Sequence, residues 1–296
     1  MILNVSSRTD IPAFYSEWLI NRLKAGYVDV RNPFNYHAVS RINFDNVDLL
    51  FFCTKNPMPL LDKIDKINKK MYFHITLTPY KKNIEPNLPS KKEIIAAIKE
   101  LSKKIGKENV VIRYDPIFFN NEYTIDYHIK AFEKICELLD GYVEKILIHF
   151  LDDYKNVRNN YNALKYITPP PDYYKLIGKS FSMSATKHNI KVFTCNEKID
   201  LVEYGFVKGE CISTELAYKL TGNIYKTKWS KTRDVSCNCI QMVDIGAYNC
   251  CQHFCKYCYA NYDEKKVIEN KKKHNPNSSL IIGELEKEDV IKERFK

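Results

Sequence analysis

The segment Cys251-Gln252-His253-Phe254-Cys255-Lys256-Tyr257-Cys258 spaces three cysteines as C-x3-C-x2-C. Three thiolates this close along a chain can converge on one iron–sulfur cube, because cysteine is the usual protein ligand of such clusters. Three ligands leave one iron of a four-iron cluster without a protein donor. An open vertex is also what separates a metal site that binds small molecules from a purely structural one. Zinc is the competing reading, since Cys255-x2-Cys258 together with Cys237-x-Cys239 supplies four sulfurs. It uses the sequence less well, because C-x-C is a poorer zinc knuckle than C-x2-C and Cys251 is left idle.

Ten cysteines occur in all, six of them between residues 237 and 258. Reduced thiols clustered in this way point to metal binding or redox chemistry when no secretion signal accompanies them. Cys195 follows an apolar run, and Cys211 is expected to begin a last short strand. With Cys237 and Cys239 they could hold an auxiliary four-iron cluster or a zinc ion. The bland alternative is that Cys195 and Cys211 are small buried hydrophobes, as free cysteines usually are. Cys53 and Cys136 lie in apolar runs and are expected in the core. Cys250 has no assigned role, and His253 reads as a loop residue beside the cluster rather than a ligand.

Short apolar runs recur along the chain, each ending in polar residues. They include Leu3 to Val5, Tyr27 to Val30, Leu49 to Phe52, Tyr72 to Leu77, Val110 to Ile112, Lys145 to Leu151 and Lys191 to Phe193. Their β-branched and aromatic content suits buried parallel strands. Helical spacing of apolar residues lies between them, at Pro12 to Lys24, Lys91 to Ile105, Thr124 to Leu139 and Asp172 to His188. The alternation predicts an α/β fold, a full or partial parallel (β/α) barrel, over residues 1–226. Residues 227–296 read as a Cys-rich extension folded against it, with a short helix around Glu286 to Glu293. Ligand sites in such folds sit at the C-terminal ends of the strands, where the polar clusters fall.

At the C-x3-C-x2-C segment the sequence resembles the radical S-adenosylmethionine (SAM) superfamily, including the aromatic Tyr257 before the last cysteine. The resemblance implies that Cys251, Cys255 and Cys258 ligate a [4Fe–4S] cluster whose free iron chelates SAM. The reduced cluster would split SAM to a 5′-deoxyadenosyl radical that abstracts hydrogen from a substrate. An electron donor such as ferredoxin or flavodoxin would be the partner. The order of elements departs from that superfamily, in which the motif follows the first strand; here it follows all of them, and no Gly-Gly-Glu triplet follows a strand. Over its whole length the chain resembles the bacterial and archaeal domain-of-unknown-function family 1848. The resemblance rests on Ser7-Arg8-Thr9-Asp10-Ile11-Pro12, Thr54-Lys55-Asn56-Pro57, Arg113-Tyr114-Asp115-Pro116-Ile117, and Asp244-Ile245-Gly246-Ala247-Tyr248 leading into Cys255-Lys256-Tyr257-Cys258-Tyr259-Ala260. A permuted barrel, whose tail delivers the cluster to the mouth, reconciles the order.

SAM carries a carboxylate, an amino group, a ribose and an adenine. Arg113 or Lys55 suits the carboxylate, since a guanidinium can pair with it bidentately. Glu197 or Asp115 suits the amino group and ribose, and Tyr257 could stack on an aromatic ring. The alternative for each charged residue is an ion pair that staples neighbouring strand ends.

Lys plus Arg exceed Asp plus Glu by 46 − 36 = 10. That surplus admits a nucleic-acid partner and a second functional class, a zinc-containing nucleic-acid-binding protein without catalytic activity. The same surplus also fits the Lys-, Asn- and Ile-rich composition of an A/T-rich genome, and Lys271-Lys272-Lys273 reads as solvated surface. No apolar run approaches the roughly 18 residues a membrane span needs. The N-terminal residues lack the pattern of a signal peptide, so a soluble cytoplasmic protein is expected.

Overall fold

The strands of the main sheet are short and apolar on both sides, as in Leu49–Thr54, whose Leu-Leu-Phe-Phe-Cys-Thr run is buried except at Cys53. The computed structural model describes residues 1–225 and 239–295. Eleven strands are found among them: β1 (Ile2–Val5), β2 (Tyr27–Arg31), β3 (Ala38–Asn43), β4 (Leu49–Thr54), β5 (Lys70–Thr76), β6 (Val110–Ile117), β7 (Lys145–Phe150), β8 (Lys191–Cys195), β9 (Val207–Gly209), β10 (Val243–Asp244) and β11 (Val290–Glu293). Eight of them form one sheet in the order β10-β1-β4-β5-β6-β7-β8-β9, and every pairing in it is parallel. The fold is therefore α/β, with a parallel sheet and flanking helices. Among the described residues β9 and β10 remain separate edges, so hydrogen bonding does not close the sheet into a barrel.

Helices connect the strands where the apolar spacing predicts them. Lys91–Ile105 begins at a capping box in which Ser90 and Glu93 exchange hydrogen bonds. Ile125–Leu139 is capped by Thr124. It packs on Pro171–Lys187 through the stacked rings of Phe132 and Phe181, whose centroids are 3.8 Å apart.

Strand alternation divides the interior in two. Leu50, Phe52, Phe73, Ile75, Ile112, Ile146 and Ile148 face the helices. Ile2, Leu49, Phe51, Tyr72, Val111, Leu147 and Cys195 face the other way. There they are covered by Ile212, Ala217, Ile240 and Met242 from the segments that follow β9 and lead to β10.

Four local expectations are corrected. Tyr27 to Val30 does not join the parallel sheet: β2 pairs antiparallel with β3 in a separate three-stranded sheet. Its buried Asp29 takes two hydrogen bonds from the Arg41 guanidinium of β3, a charged cross-strand pair that suits a small antiparallel sheet better than an apolar parallel one. The helix expected over Pro12 to Lys24 is two helices, Ile11–Phe14 and Ser16–Ala25, because Tyr15 leaves helical geometry while its hydroxyl donates to the Cys250 carbonyl at 2.6 Å. Val290–Glu293, expected in a helix, is β11, paired parallel to the edge of β3. Cys211 follows the short strand β9 rather than beginning one. No helix of the described residues is long and apolar enough to cross a membrane.

Candidate functional site

Polar and sulfur side chains gather at the C-terminal ends of the parallel strands, and Asp10, just beyond β1, ties them to the cysteine segment. Its carboxylate accepts from Thr54 Oγ1 at 2.6 Å, from the Lys55 amide at 2.7 Å, and from the Ala13 amide at 3.1 Å. The fourth partner is His253 Nε2, at 2.9 Å, inside the C-x3-C-x2-C run. Side-chain amides hold the rest of that loop by its carbonyls: Asn87 on Gln252, Asn160 on Lys256, and Asn156 on Tyr259. Irregular backbone leaves carbonyls without ladder partners, and these amides satisfy them. Phe254 adopts a left-handed φ of 55°, and the chain then turns so that the Cys258 amide donates to the Cys255 carbonyl at 3.1 Å.

The three thiols of the run are half-buried, whereas Cys250 is fully buried and donates to the Ala247 carbonyl. Burial pushes Cys255 up to about 12, against the opposing charge of Lys55, and raises Cys258 as well. Cys251 goes well above its ordinary value through burial and then through Asp10, Cys258 and Cys255. Thiols so placed ionise only when a cation compensates them.

Beside Cys255 lies a buried acidic hub. Glu85 accepts from Lys55 Nζ at 3.0 Å and Thr78 Oγ1 at 2.7 Å, and also from Lys91 and the Tyr257 hydroxyl. Burial alone would raise Glu85, but Lys55 and Lys91 outweigh it and bring it down to about 2. Lys55 also lies 5.1 Å from the centroid of the Tyr257 ring. Lys55 and Tyr257 are thus together, committed to Glu85 and adjacent to Cys255.

A second group forms around Arg113. Its guanidinium grips Asp115 Oδ2 through two nitrogens, at 2.9 and 2.6 Å, and donates to Cys211 Sγ at 3.3 Å. Cys211 Sγ is 3.6 Å from Cys195 Sγ, and the Cys211 amide donates to Cys239 Sγ at 3.2 Å. Ligand atoms of Cys195, Cys211 and Cys239 all lie within 4.8 Å of one another. These three residues could hold a metal ion. Cys211 is the thiol of the trio that ionises most readily, because the Cys195 and Cys239 thiols and then Arg113 stabilise its anion. Cys237 lies outside the described residues.

Glu197, two residues past β8, accepts the Phe150 amide at 2.9 Å and lies 3.2 Å from His149 Nδ1. His149 Nε2 is 3.1 Å from Asp152. Burial opposes the charge of His149, but Asp152 and Glu197 overcome it and lift its pKa to about 10. At the other edge of the sheet, Asp244 accepts from Ser6 Oγ, the Ser7 amide, Arg8 Nε and the Gly246 amide. A Cβ on Gly246 would fall 2.1 Å from Ser6 Oγ, so only glycine permits this approach.

The family described as Domain of unknown function (DUF1848) matches residues 2–260. The chain belongs to this family. The match takes in both cysteine groups and stops two residues past Cys258. No curated protein matches the chain. Within this family frame, the structure sorts the singled-out residues into three places: Lys55 and Tyr257 beside Cys255, Arg113 and Asp115 beside Cys211, and Glu197 beside His149.

Several participants were not visible in the sequence as such. Glu85 sits in a loop with no motif around it. Cys53, expected in the core, is half-buried among Arg113, Cys211 and Asp244, whose charges act on it. His74 lies 3.5 Å from Arg113 Nη1, and burial holds it neutral with a pKa of about 3. The period of two along β4 and β5, read together with Arg113 on β6, was the available signal for these two.

Proposed function

We propose that this chain is a radical-SAM-type enzyme in which Cys251, Cys255 and Cys258 ligate a [4Fe–4S] cluster at the C-terminal ends of the strands. The observation that carries the reading is the arrangement of the three thiols. They sit on one loop beside the strand ends, close enough for their charges to act on one another. The donor set fits a cube: three thiols half-buried at the mouth of the sheet, with the Ala260 amide donating to Cys258 Sγ at 3.4 Å. When bound, such a cluster, reduced by a ferredoxin- or flavodoxin-type donor, supplies the electron that cleaves SAM to methionine and a 5′-deoxyadenosyl radical able to abstract hydrogen.

The chain's own residues have separable tasks in this reading. Asp10 fixes the loop through His253. Glu85 holds Lys55 charged next to Cys255, where the ammonium favours the thiolate form of its neighbour. Arg113 with Asp115, and His149 with Glu197, offer a cation and carboxylates on the strand ends for the carboxylate, amino and hydroxyl groups of a SAM-sized ligand. The substrate is left unassigned.

The test is anaerobic reconstitution with iron and sulfide, followed by a strong reductant and SAM. The expected product is 5′-deoxyadenosine, lost in Cys255→Ala together with the cluster's iron and sulfide. Verified iron and sulfide with no 5′-deoxyadenosine from the wild type would sink the reading.

A further inference from the structure

We infer that Cys195, Cys211 and Cys239 bind a single tetrahedral zinc ion that clasps the two free edges of the parallel sheet. The inference uses a different set of sulfurs from the cluster reading, and Arg113 is the residue the two share. Zinc–sulfur bonds of about 2.3 Å place sulfurs at tetrahedral vertices about 3.8 Å apart. The observed Cys195–Cys211 separation is 3.6 Å, and all three sulfurs fall within 4.8 Å of each other. Thiolates on a cube bind separate irons at separate corners and are held further apart. A set of three soft donors with this geometry selects zinc over harder dications.

The surroundings complete the site electrically. Three thiolates around a dication leave one negative charge, and the Arg113 guanidinium lies against Cys211 Sγ to offset it. The Cys211 amide donates to Cys239 Sγ, an outer hydrogen bond of the kind that orients metal ligands. The fourth vertex is completed by a ligand outside the trio.

The topology supplies the role. Cys195 ends β8, and Cys211 lies two residues beyond β9, which is one edge of the sheet. Cys239 lies four residues before β10, the opposite edge, with the Ile240 amide donating to the Ile212 carbonyl at 3.2 Å. Among the described residues, hydrogen bonds between strands do not join these edges. An ion shared by the three sulfurs joins the segments leading from one edge to the other.

The test is metal analysis of the full chain, purified anaerobically from medium containing both zinc and iron. About one zinc per chain is expected. Cys211→Ser should lower zinc by at least the tenfold that even outer-shell changes can cost, while Cys255→Ala keeps zinc and loses iron. Should Cys211→Ser not fold, cobalt(II) loading of zinc-depleted wild type decides: intense visible bands with sulfur-to-cobalt charge transfer are expected. Removing zinc should also speed amide exchange in β9 and β10 by about tenfold relative to β4 and β5. Iron in place of zinc at this trio, a pale six-coordinate cobalt spectrum, or unchanged exchange after zinc removal would overturn the inference. Absence of 5′-deoxyadenosine alone would leave it standing.

Discussion

The two cysteine groups differ in how the fold brings them together. Cys251, Cys255 and Cys258 are neighbours in sequence, and their loop is splayed by Phe254 in left-handed geometry and held by Asn87, Asn156 and Asn160 from elsewhere. Cys195, Cys211 and Cys239 are separated by up to 44 residues, yet the strand ends pack their sulfurs within 4.8 Å. One group is gathered by a single loop, whereas the other is gathered by separate strand ends that converge on one point.

The sharpest way to break the comparison is Glu85→Ala. It leaves the Lys55 and Lys91 ammoniums without their buried partner, a loss of about 3–5 kcal/mol, which urea unfolding should register. Iron loading at the neighbouring Cys255 should fall while zinc is retained; equal loss of both metals would show that the two groups are one unit.

A smaller effect should come from His149. Its folded pKa of about 10 lies above the ordinary 6.5, so its ion pairs add stability that is fully present below about pH 6.5 and disappears as pH rises through about 10. The gap between wild type and His149→Gln, on the order of a few kcal/mol at neutral pH, should close by pH 10 in denaturant titrations. A gap that stays constant with pH would remove the charge from His149. Neither metal content should change, because neither cysteine group uses this residue.

Cys53→Ser should do least. Cys53 lies near Cys211 and Asp244 but completes neither trio, so stability should change by about 1 kcal/mol or less, with zinc and iron both unchanged. Loss of either metal would make Cys53 a ligand and assign it to one group.

Much of the frame was legible in the sequence because its signals are periodic. The helices Lys91–Ile105 and Ile125–Leu139 follow their apolar spacing and their Ser90 and Thr124 caps, and the parallel strands end where the polar clusters begin. What was not legible depended on partners distant in sequence. The strand β11 forms because β3 has an edge to offer, and Tyr15 breaks a helix to reach the Cys250 carbonyl. The site followed the same division: the local motif was visible and Cys195, Cys211 and Cys239 were already grouped as a second metal site, which their packing supports, but Glu85 at the junction of Lys55, Lys91 and Tyr257 exists only after folding.

Asp10 and His253, hydrogen-bonded to each other, lie 243 residues apart, and β1 gains its β10 neighbour only from residues 243 and 244. During synthesis β1 must therefore wait until residues 243 and 244 have emerged before that flank is covered.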